Sequence, residues 1–139
     1  MASLLKVDSL TGVTTAGSIS VTGEGNSTTT NLQQGLAKVW FNYDGSGTIA
    51  YRDSFNCASL TDHATGDHSV NFTSSMTSDD YSSAGIVGNG NNADTSNSQM
   101  RRGTSETGSI RLTINYANGG TTALFDYSEC TGNINGDLA

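Results

Sequence analysis

The stretch SIRLTINYANGGTTALFDY, residues 109–127, decides the fold. Ile110, Leu112, Ile114 and Tyr116 occupy every second position, with Arg111, Thr113 and Asn115 between them. That period of two gives a strand one apolar face and one polar face. Asn118, Gly119 and Gly120 then turn the chain. Asn-Gly favours a hairpin turn, because such turns need positive φ at their central residues. The pattern predicts two antiparallel strands.

Similar short strands are predicted on the N-terminal side. VWFNY, residues 39–43, is dense and apolar, and Asp44, Gly45, Ser46 and Gly47 form a turn. In TIAYRDSFNC, residues 48–57, Ile49, Tyr51, Phe55 and Cys57 are expected on one face of one strand. The loop TDHATGD, residues 61–67, follows, and then SVNFTSSM, with Val70 and Phe72 pointing one way. DDYSSAGIVG, residues 79–88, reads as a further strand. NGNNADTSNSQ, residues 89–99, reads as an exposed low-complexity loop, and CTGNINGDLA, residues 130–139, as a loose tail. The sum is an all-β domain over residues 39–139, a compact antiparallel sandwich or barrel of about seven strands.

Residues 1–30 read as an extended β arm, in which Leu5 and Val7, then Ile19 and Val21, alternate. Residues 31–38 read as a short helical segment, with Leu32 and Leu36 on one side and Gly35 weakening it. One or two helical turns need company, since nucleation is costly. Leu5, Val7, Ile19, Val21, Leu32 and Leu36 are therefore the expected self-association residues.

Composition points the same way. The 139 residues include no proline, and hydrophobic side chains make up 34%, so little apolar area offsets conformational entropy. Such a chain is either partly disordered or buries its apolar faces against copies of itself, and the few charges and regular alternation favour the second. A net charge of −7 disfavours nucleic acid and anionic membrane surfaces as partners. Apolar runs are too short to span a bilayer, so no membrane insertion is expected. MASLLKVDSL lacks the apolar centre of a secretory signal, which implies synthesis in a cytosol. Cys57 reads as a buried small hydrophobe, and a bridge to Cys130 has no support in a reducing compartment.

Motifs for chemistry are weak. Gly88, Gly90 and Ala93 fit a dinucleotide loop, but no amphipathic helix follows to hold a pyrophosphate. His63 and His68, beside Asp62 and Asp67, match no metal-ligand spacing. NYDGSG and NINGD lack the closing Glu of a calcium loop. No G-x-S-x-G elbow occurs. Asn26 and Asn71 begin glycosylation-type triplets that the abundance of Ser and Thr explains. Neither a cofactor nor a catalytic residue is assigned. Trp40, Phe41, Tyr43, Tyr51 and Phe55 read first as core and second as a sugar-stacking platform. Asp62, His63, Asp67, His68, Asn89, Asn91, Asn92, Arg101 and Arg102 are the candidate outward loop residues.

The ordered combination over residues 31–76 resembles a module of tail fibres and surface proteins of tailed bacteriophages, marine ones in particular. It comprises an NLQ-G-AK segment (Asn31, Leu32, Gln33, Gly35, Ala37, Lys38) and an aromatic strand ending in N-x-DG-x-GT (Asn42, Asp44, Gly45, Gly47, Thr48). A DSFN strand (Asp53 to Asn56), a TD-x-x-TGD hairpin (Thr61 to Asp67) and V-x-FT (Val70, Phe72, Thr73) complete it. The opening LLKVDSLTGVTTAGSI, from residue 4, is similar to the start of small virion proteins. The resemblance implies a non-enzymatic virion protein, made in the cytoplasm of an infected bacterium. It would be a homotrimeric fibre, knob or spike, anchored to other virion proteins by its N-terminal arm. It would adsorb to a host surface glycan or outer-membrane component. The alternatives are a capsid decoration or cement protein and, from another class, a small glycan-binding protein or carbohydrate-active enzyme.

Overall fold

The computed structural model describes residues 4–13, 19–22, 29–88, 97–118 and 121–139. The chain divides into two compact units, Met1–Leu36 and Ala37–Ala139.

In the first unit, residues 4–13 carry no regular structure, contrary to the strand expected at Leu5 and Val7. β1 (Ser20–Thr22) pairs antiparallel with β2 (Thr29–Asn31), and Leu32 N donates to Ile19 O at 2.9 Å. The helical segment expected over 31–38 shrinks to a single four-residue helical turn, Leu32–Gly35. One turn fixes several dihedrals for one hydrogen bond, and Gly35 resists propagation.

The second unit holds nine described strands in two antiparallel sheets. They are β3 (Val39–Asp44), β4 (Ala50–Phe55), β5 (Cys57–Ala64), β6 (Asp67–Phe72), β7 (Ser82–Gly88), β8 (Asn97–Glu106), β9 (Ser109–Asn118), β10 (Thr121–Leu124) and β11 (Glu129–Asn135). One sheet runs β4-β3-β11-β7. In the other, β9 is the hub. β8 pairs along one of its edges, while β6 (to residues 109–113) and β10 (to residues 115–118) share the other. The changeover falls at Ile114, whose N–H donates to Gly66 O and whose carbonyl accepts from Phe125 N.

The alternation read from β9 holds from Ile110 to Ile114 and breaks at Asn115, which is buried beside Ile114. Ile110, Leu112 and Ile114 are buried and Arg111 is exposed. Val39, Phe41 and Tyr43 from β3, Val70 and Phe72 from β6, and Cys130 and Ile134 from β11 join them in one cluster. Each such side chain, when buried, contributes about 1.5–3 kcal/mol. Both sheets therefore supply the same core.

Three expectations fail here for physical reasons. First, residues 48–57 are not one strand. Asn56 has φ 57°, a left-handed conformation that Asn tolerates, and it turns the chain from one sheet into the other. Its side chain locks the corner: Nδ2 donates to Lys38 O and Ser74 O at 3.1 Å each, and Oδ1 accepts from Ser74 N at 2.7 Å. A bulge between Asn42 and Tyr43 shifts the β3–β4 register, so Phe55 faces outward opposite Trp40. Second, residues 61–64 belong to β5, and the loop shrinks to Thr65 and Gly66. Gly66 has φ 65°, and a Cβ there would strike Ile114 O. Third, the tail is not loose: β11 lies between β3 and β7.

Candidate functional site

Two groupings of polar and aromatic side chains emerge in the second unit, one inside and one outside. The inner one centres on His68, which is fully buried. Its outward-loop assignment is overturned, because β6 turns this position toward β3. Tyr43 OH lies 3.3 Å from its Nδ1, with the rings edge to face. On the far side, Asp126 Oδ1 stands 3.3 Å from Nε2 without the alignment of a hydrogen bond. The same carboxylate oxygen accepts Gly66 N at 2.6 Å and so holds the hairpin tip. Gly45 closes the cluster: a Cβ there would lie 3.0 Å from His68 Cε1 and 3.2 Å from Cys130 Sγ. Burial pushes the Cys130 thiol up to about 12 and the Tyr43 phenol far above its ordinary value. Such a thiol stays protonated near neutrality, which suits packing and not nucleophilic attack. His68 is thus sealed from solvent inside the core of the second unit.

The outer grouping lies on the face of the four-stranded sheet turned away from the core. Alternation fixes which side chains stand there. Val39, Phe41 and Tyr43 point inward, so Trp40 and Asn42 point outward. The registers align Phe55, Trp40, Asn133 and Ala84 in one cross-strand row, and Asp53, Asn42, Thr131 and Ile86 in the next. Trp40, Phe55 and Ile86 are 38%, 52% and 74% exposed, an uncommon density of large apolar side chains on an outer sheet face. A shallow groove of about 530 Å³ runs between Trp40 and Ile86 over Thr131 and Gly132. Asn42 lines it, and its Oδ1 is buried with no hydrogen-bond partner. The row was half legible: Trp40 and Phe55 belonged to the aromatic cluster read from the sequence, whereas Phe41 and Tyr43 went to the core. Ile86, Thr131 and Asn133 were missed, because only the position of β11 brings them together.

The other expected site residues are scattered. Asp62 and His63 are exposed on β5, and His63 Nε2 is 2.9 Å from Ser69 Oγ. Asp67, half-buried at the start of β6, takes a two-pronged hydrogen bond from Arg111, which holds its carboxyl below the usual range. Arg101 and Arg102 lie on strand β8 and not on a loop. Arg102 donates to Tyr81 O at 3.0 Å, with its guanidinium over the Tyr81 ring. Asn89, Asn91 and Asn92 lie outside the described residues. Among the described residues, no group of three or more His, Cys, Asp or Glu side chains is placed to hold a metal ion. Asp44, from the calcium-like stretch, is occupied by Ser46 and Arg52. Of the self-association residues, Leu5, Val7, Val21 and Leu36 are exposed, while Ile19 and Leu32 are partly covered.

No family model, curated protein or solved structure matches the chain.

Proposed function

We propose that this chain is a non-enzymatic structural protein of a bacteriophage virion. In this reading it is displayed as a homotrimeric knob or spike, with the 37–139 unit as a β-sandwich facing outward and the N-terminal unit as its attachment. One observation carries the reading. Leu4, Leu5, Val7, Leu10 and Val13 are all exposed within ten residues that form neither helix nor strand. Large apolar side chains at that density lose about 1.5–3 kcal/mol each by staying in water. Burial against sister subunits or a particle recovers it, and closed symmetry repeats each gain. Adsorption to a host surface would then use the outer sheet face, with several copies acting together.

The test is the composition of purified particles. Lysate particles are banded on a density gradient, and their proteins are identified by mass spectrometry. Peptides of this chain in the particle band, in a copy number divisible by three, are expected. Recovery only from the soluble fraction refutes the reading. Heating particles that lack the protein separates its two structural versions: a cement protein's loss lowers shell stability, whereas an adhesin's loss lowers adsorption alone.

A further inference from the structure

We propose that the groove between Trp40 and Ile86 is a binding site for neutral carbohydrate, with a pyranose ring packed on the Trp40 indole. The proposal deepens the adsorption role above and rests on it for its biological setting. The binding itself is a property of the sheet face.

The chemistry of the face selects the ligand. A pyranose has an apolar C–H face and a polar rim, and it needs an exposed aromatic ring beside neutral donors and acceptors. Trp40 supplies the ring, and Phe55 extends it across the strand pair. Thr131 and Asn133, on the strand between the walls, are each both donor and acceptor. Asn42 Oδ1 is buried without a partner in the protein, and a ligand hydroxyl would reach it after rotation of that amide. Trp40 on β3 and Ile86 on β7 lie two strand spacings (about 9–10 Å) and one cross-strand row (about 7 Å) apart, a diagonal separation of about 12 Å that admits one sugar ring.

Other partners fit worse. No charged side chain lines the groove, so an anionic group meets no countercharge. Asp53 stands opposite Asn42 in the same cross-strand row and repels anions. A purely apolar partner, such as an aliphatic protein patch, would bury Asn42, Thr131 and Asn133 without hydrogen bonds, at a cost for each group.

Trp40 is the only tryptophan in the chain, so its fluorescence reports the site directly. The full chain is titrated with neutral hexasaccharides of glucose, mannose and galactose, and with polygalacturonate as the anionic control. At least one neutral series should give a saturable change in Trp40 emission with Kd below about 5 mM, typical of a shallow site. Polygalacturonate should give none. Phe55→Ala and Ile86→Ser should weaken the interaction at least about 5-fold, since Ile86 is a wall of the groove and Phe55 extends the aromatic surface beside Trp40. Both residues are exposed, so melting curves should confirm an intact fold. Arg101→Ala, on the other sheet, should leave the affinity unchanged. Three results overturn the proposal: no saturable change with any neutral series, a change that survives Ile86→Ser in full, or a Trp40 shift that follows protein concentration without sugar. The last would make the groove a contact between copies of this chain. Absence of the chain from purified particles, with sugar binding intact, would refute the virion reading and leave this site standing.

Discussion

Replacing Gly132 by Ala tests whether the C-terminal segment is a core strand. A Cβ at this position would lie 2.5 Å from Phe41 Cζ, 2.9 Å from Phe41 Cε2 and 2.9 Å from Ala84 O. Phe41 is 3% exposed and wedged against Tyr43, with ring centroids 5.8 Å apart. Ala84 O is backbone in the neighbouring strand. Neither yields without moving a sheet. Overpacking of this kind costs about 1–3 kcal/mol. The lower freedom of Ala in the unfolded chain returns about 0.4–1 kcal/mol. The net loss is about 1–2 kcal/mol, which lowers a urea midpoint by about 0.5–1 M for a slope near 2 kcal/mol/M. Urea melts at a fixed protein concentration, followed by far-UV circular dichroism, read this directly. Gly88→Ala is the control, because its Cβ meets only Glu129 Oε2, at 3.9 Å. It should stay within about 0.5 kcal/mol of the parent. An unchanged midpoint for Gly132→Ala would refute the placement of β11 between β3 and β7.

Further predictions concern the corner, the thiols and acid. Asn56→Ala should destabilise by about 2–4 kcal/mol, from left-handed strain and lost hydrogen bonds. Asn56→Gly should cost about 1 kcal/mol less, since Gly removes the strain alone; equal effects in urea melts would contradict this. Burial raises both thiols, Cys130 to about 12 and Cys57 less far, so Ellman's reagent at pH 8 should leave Cys130 unmodified until the chain unfolds. Rapid modification of Cys130 in the native protein would count against the inner cluster. The carboxyl of Asp67 is held down by its hydrogen bonds from Arg111, and that of Asp44 by those from Ser46. Both folded pKa values lie below the unfolded value of about 3.9, so their stabilisation is whole above that pH. It disappears as pH falls through the folded values. Arg111→Gln should flatten this acid dependence between pH 5 and pH 2; an unaltered profile would deny the pair its role.

The sequence revealed the fold where alternation was unbroken. β9 was legible because Ile110, Leu112 and Ile114 sit among polar residues with no glycine or bulge. β11 was not, because Gly132 takes the middle inward position and only Cys130 and Ile134 mark the period. The glycine makes room for Phe41, a requirement visible only in three dimensions. β8 (NSQMRRGTSE) was hidden for a related reason, since Met100 is its one large apolar side chain. The β4–β5 corner depends on the φ of Asn56 and on a bulge, neither of which hydrophobic periodicity encodes. His68 was read as a loop residue because polar neighbours outweighed its place two residues before Val70. The outer face needed strand order as well as alternation, because Trp40, Asn133 and Ala84 come from three distant parts of the chain.

The central claim is that the apolar residues between Leu4 and Val13 acquire a partner from other subunits. The most direct measurement is the native mass of the full chain at micromolar concentration, beside a Leu5→Asp, Val7→Asp double variant. The account predicts an assembly of three times the 14.4 kDa chain mass, reduced to single chains by the two aspartates. A lone 14.4 kDa species in the parent, with the amides of Leu5 and Val7 as protected from hydrogen exchange as those of β9, would contradict it.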